Sequence, residues 1–192
     1  MVAAECKPYA WTGGLGDIVG SLPVALREHG TDVRVAVPYY GTVDPKRHPI
    51  VASGITITVP VGSNTQRGTV HVVDEGEFPV YLIGSDDHFA GRAHLYGYPD
   101  DGHRFVFFAR AALNAAQSLG WQPHVIHCHD WHAALIPNWL HIFRANVTAG
   151  ELPASVLTIH NMEYQGNFGQ DVLRAAGLER NGFLEHPTHP EL

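Results

Sequence analysis

A chain of 192 residues, 45% hydrophobic and 16% charged, has the composition of one folded domain with a core of its own, which sets intrinsic disorder aside. The formal net charge is -7 with only 12 Lys and Arg, so neither a nucleic-acid partner nor an anionic membrane is expected. No apolar run reaches the roughly 18 residues that a membrane span needs, Met1-Val2-Ala3-Ala4-Glu5 does not read as a signal peptide, and the distant Cys6 and Cys128 suit a reducing, cytoplasmic setting.

Short apolar runs alternate with amphipathic stretches along the chain, which predicts an α/β fold built on a parallel sheet. Val2-Ala3-Ala4 is the end of a first strand. A helix is expected over Leu15 to His29, where Leu15, Ile18, Val19, Leu22 and Leu26 recur at helical spacing, with Pro23 as a kink and Gly30 as C-cap. Asp32 to Pro38 is the second strand. Ile55–Val59 and Val70–Val73 flank the turn Gly62-Ser63-Asn64 and read as an inserted β-hairpin, ahead of a third parallel strand, Pro79–Ile83. A Gly-, Asp- and aromatic-rich loop (84–102) leads into a helix from Arg104 to Leu119, with Phe105, Phe108, Ala112 and Ala115 on one stripe and Phe107 also counted as core. The series closes with strand Val125–Cys128, helix Trp131–Phe143 and strand Ser155–Ile159. The whole chain, 1–192, reads as one domain with both ends clipped, because the first strand of such a sheet is central and longer than the few residues before the turn.

The turn Thr12-Gly13-Gly14-Leu15-Gly16-Asp17 lies between that strand and the first helix. A strand, a glycine turn and a helix start present backbone N–H groups and a positive dipole end to a phosphate, and glycines let the ligand approach closely. Alone the motif is equally a tight turn without ligand, and its spacing differs from the G-x-G-x-x-G dinucleotide fingerprint.

Four segments in order carry more. Ala3-Ala4-Glu5-Cys6-Lys7-Pro8 leads into the glycine turn and Ile18-Val19-Gly20-Ser21-Leu22-Pro23. His94-Leu95-Tyr96-Gly97 precedes Arg104-Phe105-Val106-Phe107-Phe108. Then come Val125-Ile126-His127-Cys128-His129-Asp130-Trp131-His132 and Thr158-Ile159-His160-Asn161-Met162-Glu163-Tyr164-Gln165-Gly166. Together they resemble the bacterial glycogen synthase and plant starch synthase family over essentially the whole chain. The resemblance implies the N-terminal half of a GT-B fold, a Rossmann-like, doubly wound, mostly parallel sheet facing a second Rossmann-like domain across a cleft. It implies transfer of glucose from ADP-glucose (or UDP-glucose) to the non-reducing end of an α-1,4-glucan with retention, without metal or other cofactor, in the cytoplasm or a plant plastid. The C-terminal domain, with most nucleotide contacts, lies outside this chain, so the chain alone is expected to be inactive. Thr12, Gly13, Gly14 and Asp17 fall on the donor side, and Tyr96 and Asn161 become glucan contacts. His160 and Asp130 become the catalytic residues, His160 beside the anomeric carbon and Asp130 accepting from sugar hydroxyls. The sequence departs from the family in one place: Trp11 stands where a lysine normally precedes Thr-Gly-Gly.

Read without the family, His127-Cys128-His129-Asp130-Trp131-His132 has ligand types that suit zinc but poor spacing, since His127 and His129 share one strand face and Cys128 the other. Packed or hydrogen-bonded histidines at a strand end are the plainer reading. Asp130 is equally an N-cap for the helix that follows, His160 and Asn161 turn residues, Tyr96 a packing residue, and Asp17 a first-turn helix charge. Two alternatives stand beside the transferase: a non-catalytic glucan-binding or regulatory module, which Trp11 favours, and a zinc hydrolase built on the histidine run.

Overall fold

A computed structural model describes residues 1–143 and 152–178. The elements in order are α1 (Gly14–Glu28), β1 (Val35–Pro38), β2 (Ile50–Val61), β3 (Asn64–Val73), β4 (Val80–Gly84), α2 (Asp101–Ser118), β5 (Val125–His129), a 3-10 turn (Trp131–Ala133), α3 (Leu135–Phe143), β6 (Ala154–Thr158) and α4 (Gln170–Ala175). Four strands line up as β1-β4-β3-β2, and β5 pairs with β6. Val2 joins the two groups through parallel bridges to Ala36 on β1 and Cys128 on β5. Its N–H donates to the His127 carbonyl at 2.8 Å and its carbonyl accepts from the His129 N–H at 3.0 Å. The expected first strand is therefore central: Val2 bonds β5, and its neighbours Met1 and Ala3 bond Ala36 of β1.

The α/β fold with an inserted hairpin is the one the sequence predicts, but its sheet is mixed. β1–β4 and β5–β6 are parallel, whereas β3 runs antiparallel to both β2 and β4. Both hairpin strands are longer than Ile55–Val59 and Val70–Val73, because polar Thr65, Gln66 and Arg67 continue the ladder opposite Pro60, Val59 and Thr58. A register shift between Ala52 and Thr56 accommodates Gly54 at φ 76°, the left-handed backbone that glycine adopts without a Cβ clash. The second strand begins at Val35 rather than Asp32; the Arg34 guanidinium instead bonds the Tyr81 hydroxyl and lies over the Trp121 ring.

α1 runs through Pro23 as a single helix from Gly14 to Glu28. It ends as the sequence suggests: Gly30 takes φ 82°, and Thr31 N–H reaches back to the Leu26 carbonyl at 3.1 Å, closing the helix with a Schellman-type bond. The apolar stripe of α1 is only half used, since Val19 is sealed while Ile18 stays exposed. α2 is buried almost all round: Phe105, Val106, Phe107 and Phe108 are all in the core. Burying each such phenylalanine is worth about 1.5–3 kcal/mol, so α2 is the axis on which the surrounding loops are built. The predicted helix from Trp131 divides into the 3-10 turn and α3, which starts at Leu135 and carries Pro137 in its first turn, where the missing N–H costs nothing.

Candidate functional site

The carboxyl ends of the central strands open on a cavity of about 790 Å³, the place where α/β folds hold ligands and a size suited to a small molecule. Two walls face it. One is the glycine turn with Glu5 and Tyr96; the other is the end of β5 and β6 with Asp130, His132, His160 and Asn161.

The glycine wall is organised by a residue the sequence reading passed over. Cys6 and Ala10 pair back to back (Cys6 N–H to the Ala10 carbonyl, 2.8 Å), which folds residues 6–10 aside and brings Glu5 against Thr12. The buried Glu5 carboxylate accepts four hydrogen bonds: from Thr12 N–H (2.8 Å), Thr12 hydroxyl (2.9 Å), Gly13 N–H (3.2 Å) and Tyr96 hydroxyl (2.8 Å). Thr12 and Gly13 thus spend their donors on the protein's own carboxylate. The free phosphate-ready backbone expected from sequence is reduced to Gly14 and Leu15, which open α1 and line the cavity with no acceptor for their N–H groups among the described residues. Asp17 points elsewhere: it lies outside the cavity lining and pairs with the Lys7 ammonium. Trp11 is also off the lining, half-exposed, with Lys7 Nζ 5.5 Å from its ring centre.

Tyr96 sits between these parts and α2. The α2 pair Asp101–Arg104 grips its loop from both sides: Asp101 accepts from Gly97 N–H (2.8 Å), Arg104 donates to the Leu95 carbonyl (2.9 Å), and the two bond each other at 2.9 Å. Arg104 is fully buried among Tyr40, Phe89, Tyr98 and Phe105. Burial raises the Tyr96 phenol far above its ordinary value, with Tyr40 and Glu5 adding to it, so Tyr96 is a neutral donor to Glu5.

The histidine wall is held by backbone strain and imidazole pairing. Asp130 is non-glycine yet has φ 56° and ψ -175°, a conformation costing on the order of 1–3 kcal/mol that surrounding contacts must hold in place. Those contacts are Asp130 N–H to the Thr158 carbonyl (2.9 Å) and Asp130 Oδ1 accepting from His160 N–H (2.7 Å). The N-cap role considered from sequence is not the one observed: its carboxylate makes no cap bond to the 3-10 turn and holds β6 instead. The His160 ring bonds the buried His129, Nε2 to Nδ1, at 2.8 Å. His127 lies 4.2 Å from His129, ring to ring, and spends Nε2 on the Thr158 hydroxyl at 2.7 Å. Desolvation, then His127 and His160, push His129 down to about 3; desolvation and Arg104 do the same to His132. Burial lifts both Cys6 and Cys128 thiols to about 12, which makes them packed, unreactive groups. His132 stacks on Trp131 at 3.9 Å, away from the other two histidines' partners. Among the described residues no three His, Cys, Asp or Glu side chains gather as a metal set.

Seven predicted residues thus meet at one cavity, namely Thr12, Gly13, Gly14, Tyr96, Asp130, His160 and Asn161. Asn161 also closes its own turn by accepting from Glu163 N–H at 2.9 Å. The lining carries Glu5, Asp101 and Asp130 but no Lys or Arg among the described residues. Carboxylates and imidazoles suit hydroxyl-rich ligands, whereas a diphosphate calls for cations.

Residues 1–191 match the starch synthase catalytic domain. The chain belongs to that family. It is 42% identical over 188 residues to glycogen synthase 2 of Geobacter metallireducens, covering 95% of this chain and 39% of that protein. With the glycogen synthase of Geotalea daltonii it shares 36% identity over 188 residues, covering 95% of this chain and again 39% of the relative. A solved structure, the catalytic domain of starch synthase IV from Arabidopsis thaliana bound to ADP and acarbose, superposes with a TM-score of 0.85 at 30% identity, over 98% of this chain and 38% of the other. This starch synthase family chain therefore spans well under half the length of the relatives it matches, and its fold is one Rossmann-like half of a GT-B architecture.

Proposed function

We propose that the chain is the acceptor-side part of a glycosyltransferase that moves glucose from ADP-glucose to the non-reducing end of an α-1,4-glucan with retention, and that it needs a C-terminal Rossmann-like domain to do so. The observation that carries this reading is the composition of the cavity lining: three carboxylates, two histidines and an asparagine, with no cation among the described residues. Such a surface recognises sugar hydroxyls and leaves the charge of a departing diphosphate to be neutralised from across the cleft. The structural neighbour carries ADP and acarbose, which supports a nucleotide and a saccharide as ligands of this fold.

In this mechanism His160 and Asp130 sit at the transferred glucose. Asp130 Oδ1 fixes the His160 backbone, and its other oxygen accepts from a sugar hydroxyl. His160 and Asn161 hold the pyranose as positive charge develops at its anomeric carbon, and Gly14 and Leu15 N–H groups meet the donor. Trp11 removes a cation from the turn while Lys7 stays beside it, paired with Asp17. A glucan-binding module without catalysis is the second reading, favoured by Trp11. ADP-glucose labelled in its glucosyl group separates the two. The chain alone is expected to incorporate nothing into glycogen, and a fusion to the C-terminal portion of the Geobacter metallireducens relative is expected to do so. Incorporation by the chain alone overturns the dependence on a second domain; a folded fusion that binds ADP yet transfers nothing overturns the transferase.

A further inference from the structure

The pair of imidazoles behind the cavity has a consequence for the one that lines it. His129 Nδ1 and His160 Nε2 are 2.8 Å apart, so one nitrogen must donate and the other accept. Two neutral arrangements satisfy this. If His160 donates from Nε2, His129 accepts at Nδ1 and must carry its own proton on Nε2. That Nε2 is buried with no hydrogen-bond partner among the described residues. An N–H donor would be stranded there, and orphaned buried N–H groups are rarer and costlier than unpaired acceptors. If His129 donates from Nδ1 instead, its Nε2 is a bare lone pair, which is the cheaper atom to leave unpaired. A charged His129 would strand the same N–H and carry a charge in a site that already contains His127 at 4.2 Å.

We propose that His129 is a positioning residue that donates its Nδ1–H to His160 and so locks His160 as the Nδ1–H tautomer, a fixed hydrogen-bond donor at the cavity. His160 is then held at two atoms by consecutive residues of one strand end, its ring by His129 and its backbone N–H by Asp130 (2.7 Å). The ring cannot accept a ligand's proton at Nε2 while that bond stands, so it acts on a bound sugar as a donor and not as a base. That last step rests on the reading of the cavity as a sugar site; the tautomer itself does not.

Long-range proton–nitrogen correlation spectra of the histidine-labelled chain at neutral pH test it, with His160 assigned by the signal lost in His160→Gln. The expected spectrum shows His160 protonated on Nδ1 and His129 protonated on Nδ1. His129→Asn, whose side-chain N–H replaces the Nδ1–H, is expected to preserve the His160 tautomer, and His129→Leu to turn it toward Nε2–H. A wild-type spectrum with His160 protonated on Nε2 overturns the proposal without any variant, and so does a folded His129→Leu protein with the tautomer unchanged. Maltohexaose is expected to shift the His160 resonance. If it leaves that resonance unmoved, the sugar-site reading falls and the tautomer assignment stands.

Discussion

The two walls of the cavity solve the same problem, holding a backbone turn in place at a strand end, with different sets of anchors. On the glycine wall a buried carboxylate is the anchor: Glu5 collects two N–H groups and two hydroxyls, and the Asp101–Arg104 ion pair secures the neighbouring loop. On the histidine wall the anchors are a pair of bonded imidazoles and a strained aspartate, with Asp130 at φ 56° and His129 bonded to His160. A charged anchor makes a wall rigid but spends donors that a ligand could have used. The buried His129, held well below its ordinary value by desolvation, makes the other wall vulnerable to acid.

Arg104→Ala breaks the glycine wall most severely. It strands Asp101 in a buried site, at an expected cost of about 3–5 kcal/mol, read as a fall in the urea midpoint of the chain. Glu5→Ala comes next at about 2–3 kcal/mol. In a hydrogen-exchange experiment it is expected to expose the Thr12 and Gly13 amides and leave the His160 amide, held by Asp130, protected. Loss of protection at His160 as well would show that the walls are one cooperative unit.

Acid should separate the walls in the other sense. His129 and His132 have folded values near 3, below their ordinary value of 6.5, so between those limits the unfolded chain binds more protons. Their stability contribution is complete above about pH 6.5 and declines as pH falls, by about 1.4 kcal/mol per pH unit for each histidine. His129→Asn is expected to remove its share of that slope in urea titrations between pH 6.5 and 4; an unchanged slope contradicts a buried neutral His129. The smallest effect isolates the strain. Asp130→Gly and Asp130→Ala both lose the carboxylate, but only glycine relieves the backbone, so the glycine variant is expected to be the more stable by about 1–2 kcal/mol.

What the sequence revealed of these walls follows from where the information lies. Periodicity and turn chemistry are local, so α1, α2 and the hairpin could be read from residues near one another, and the strand ends placed Asp130 and His160 at a cleft. Glu5 was invisible because its partners are seven and 91 residues away, and a lone carboxylate after a strand has no periodic signature. Asp101 and Arg104 were taken as a loop end and a helix start because an irregular loop has no periodic signature to show that Gly97 N–H and the Leu95 carbonyl turn back onto them. The glycine turn looked ready for phosphate because nothing in its spacing says that its first N–H groups are already used. Asp130 was considered as a cap since sequence shows the helix that follows, whereas its observed partner, His160, lies 30 residues on.

On the reading proposed above, the two walls enclose one site of glucose transfer, with His160 at its centre. The most direct test is kcat/KM for transfer from ADP-glucose to glycogen by the two-domain fusion carrying His160→Ala. We predict a fall on the order of 10²–10³-fold with Tm retained, the scale of losing one preorganised hydrogen bond to the reacting group. A folded variant with kcat/KM equal to that of the unmodified fusion would place His160 outside the transfer site.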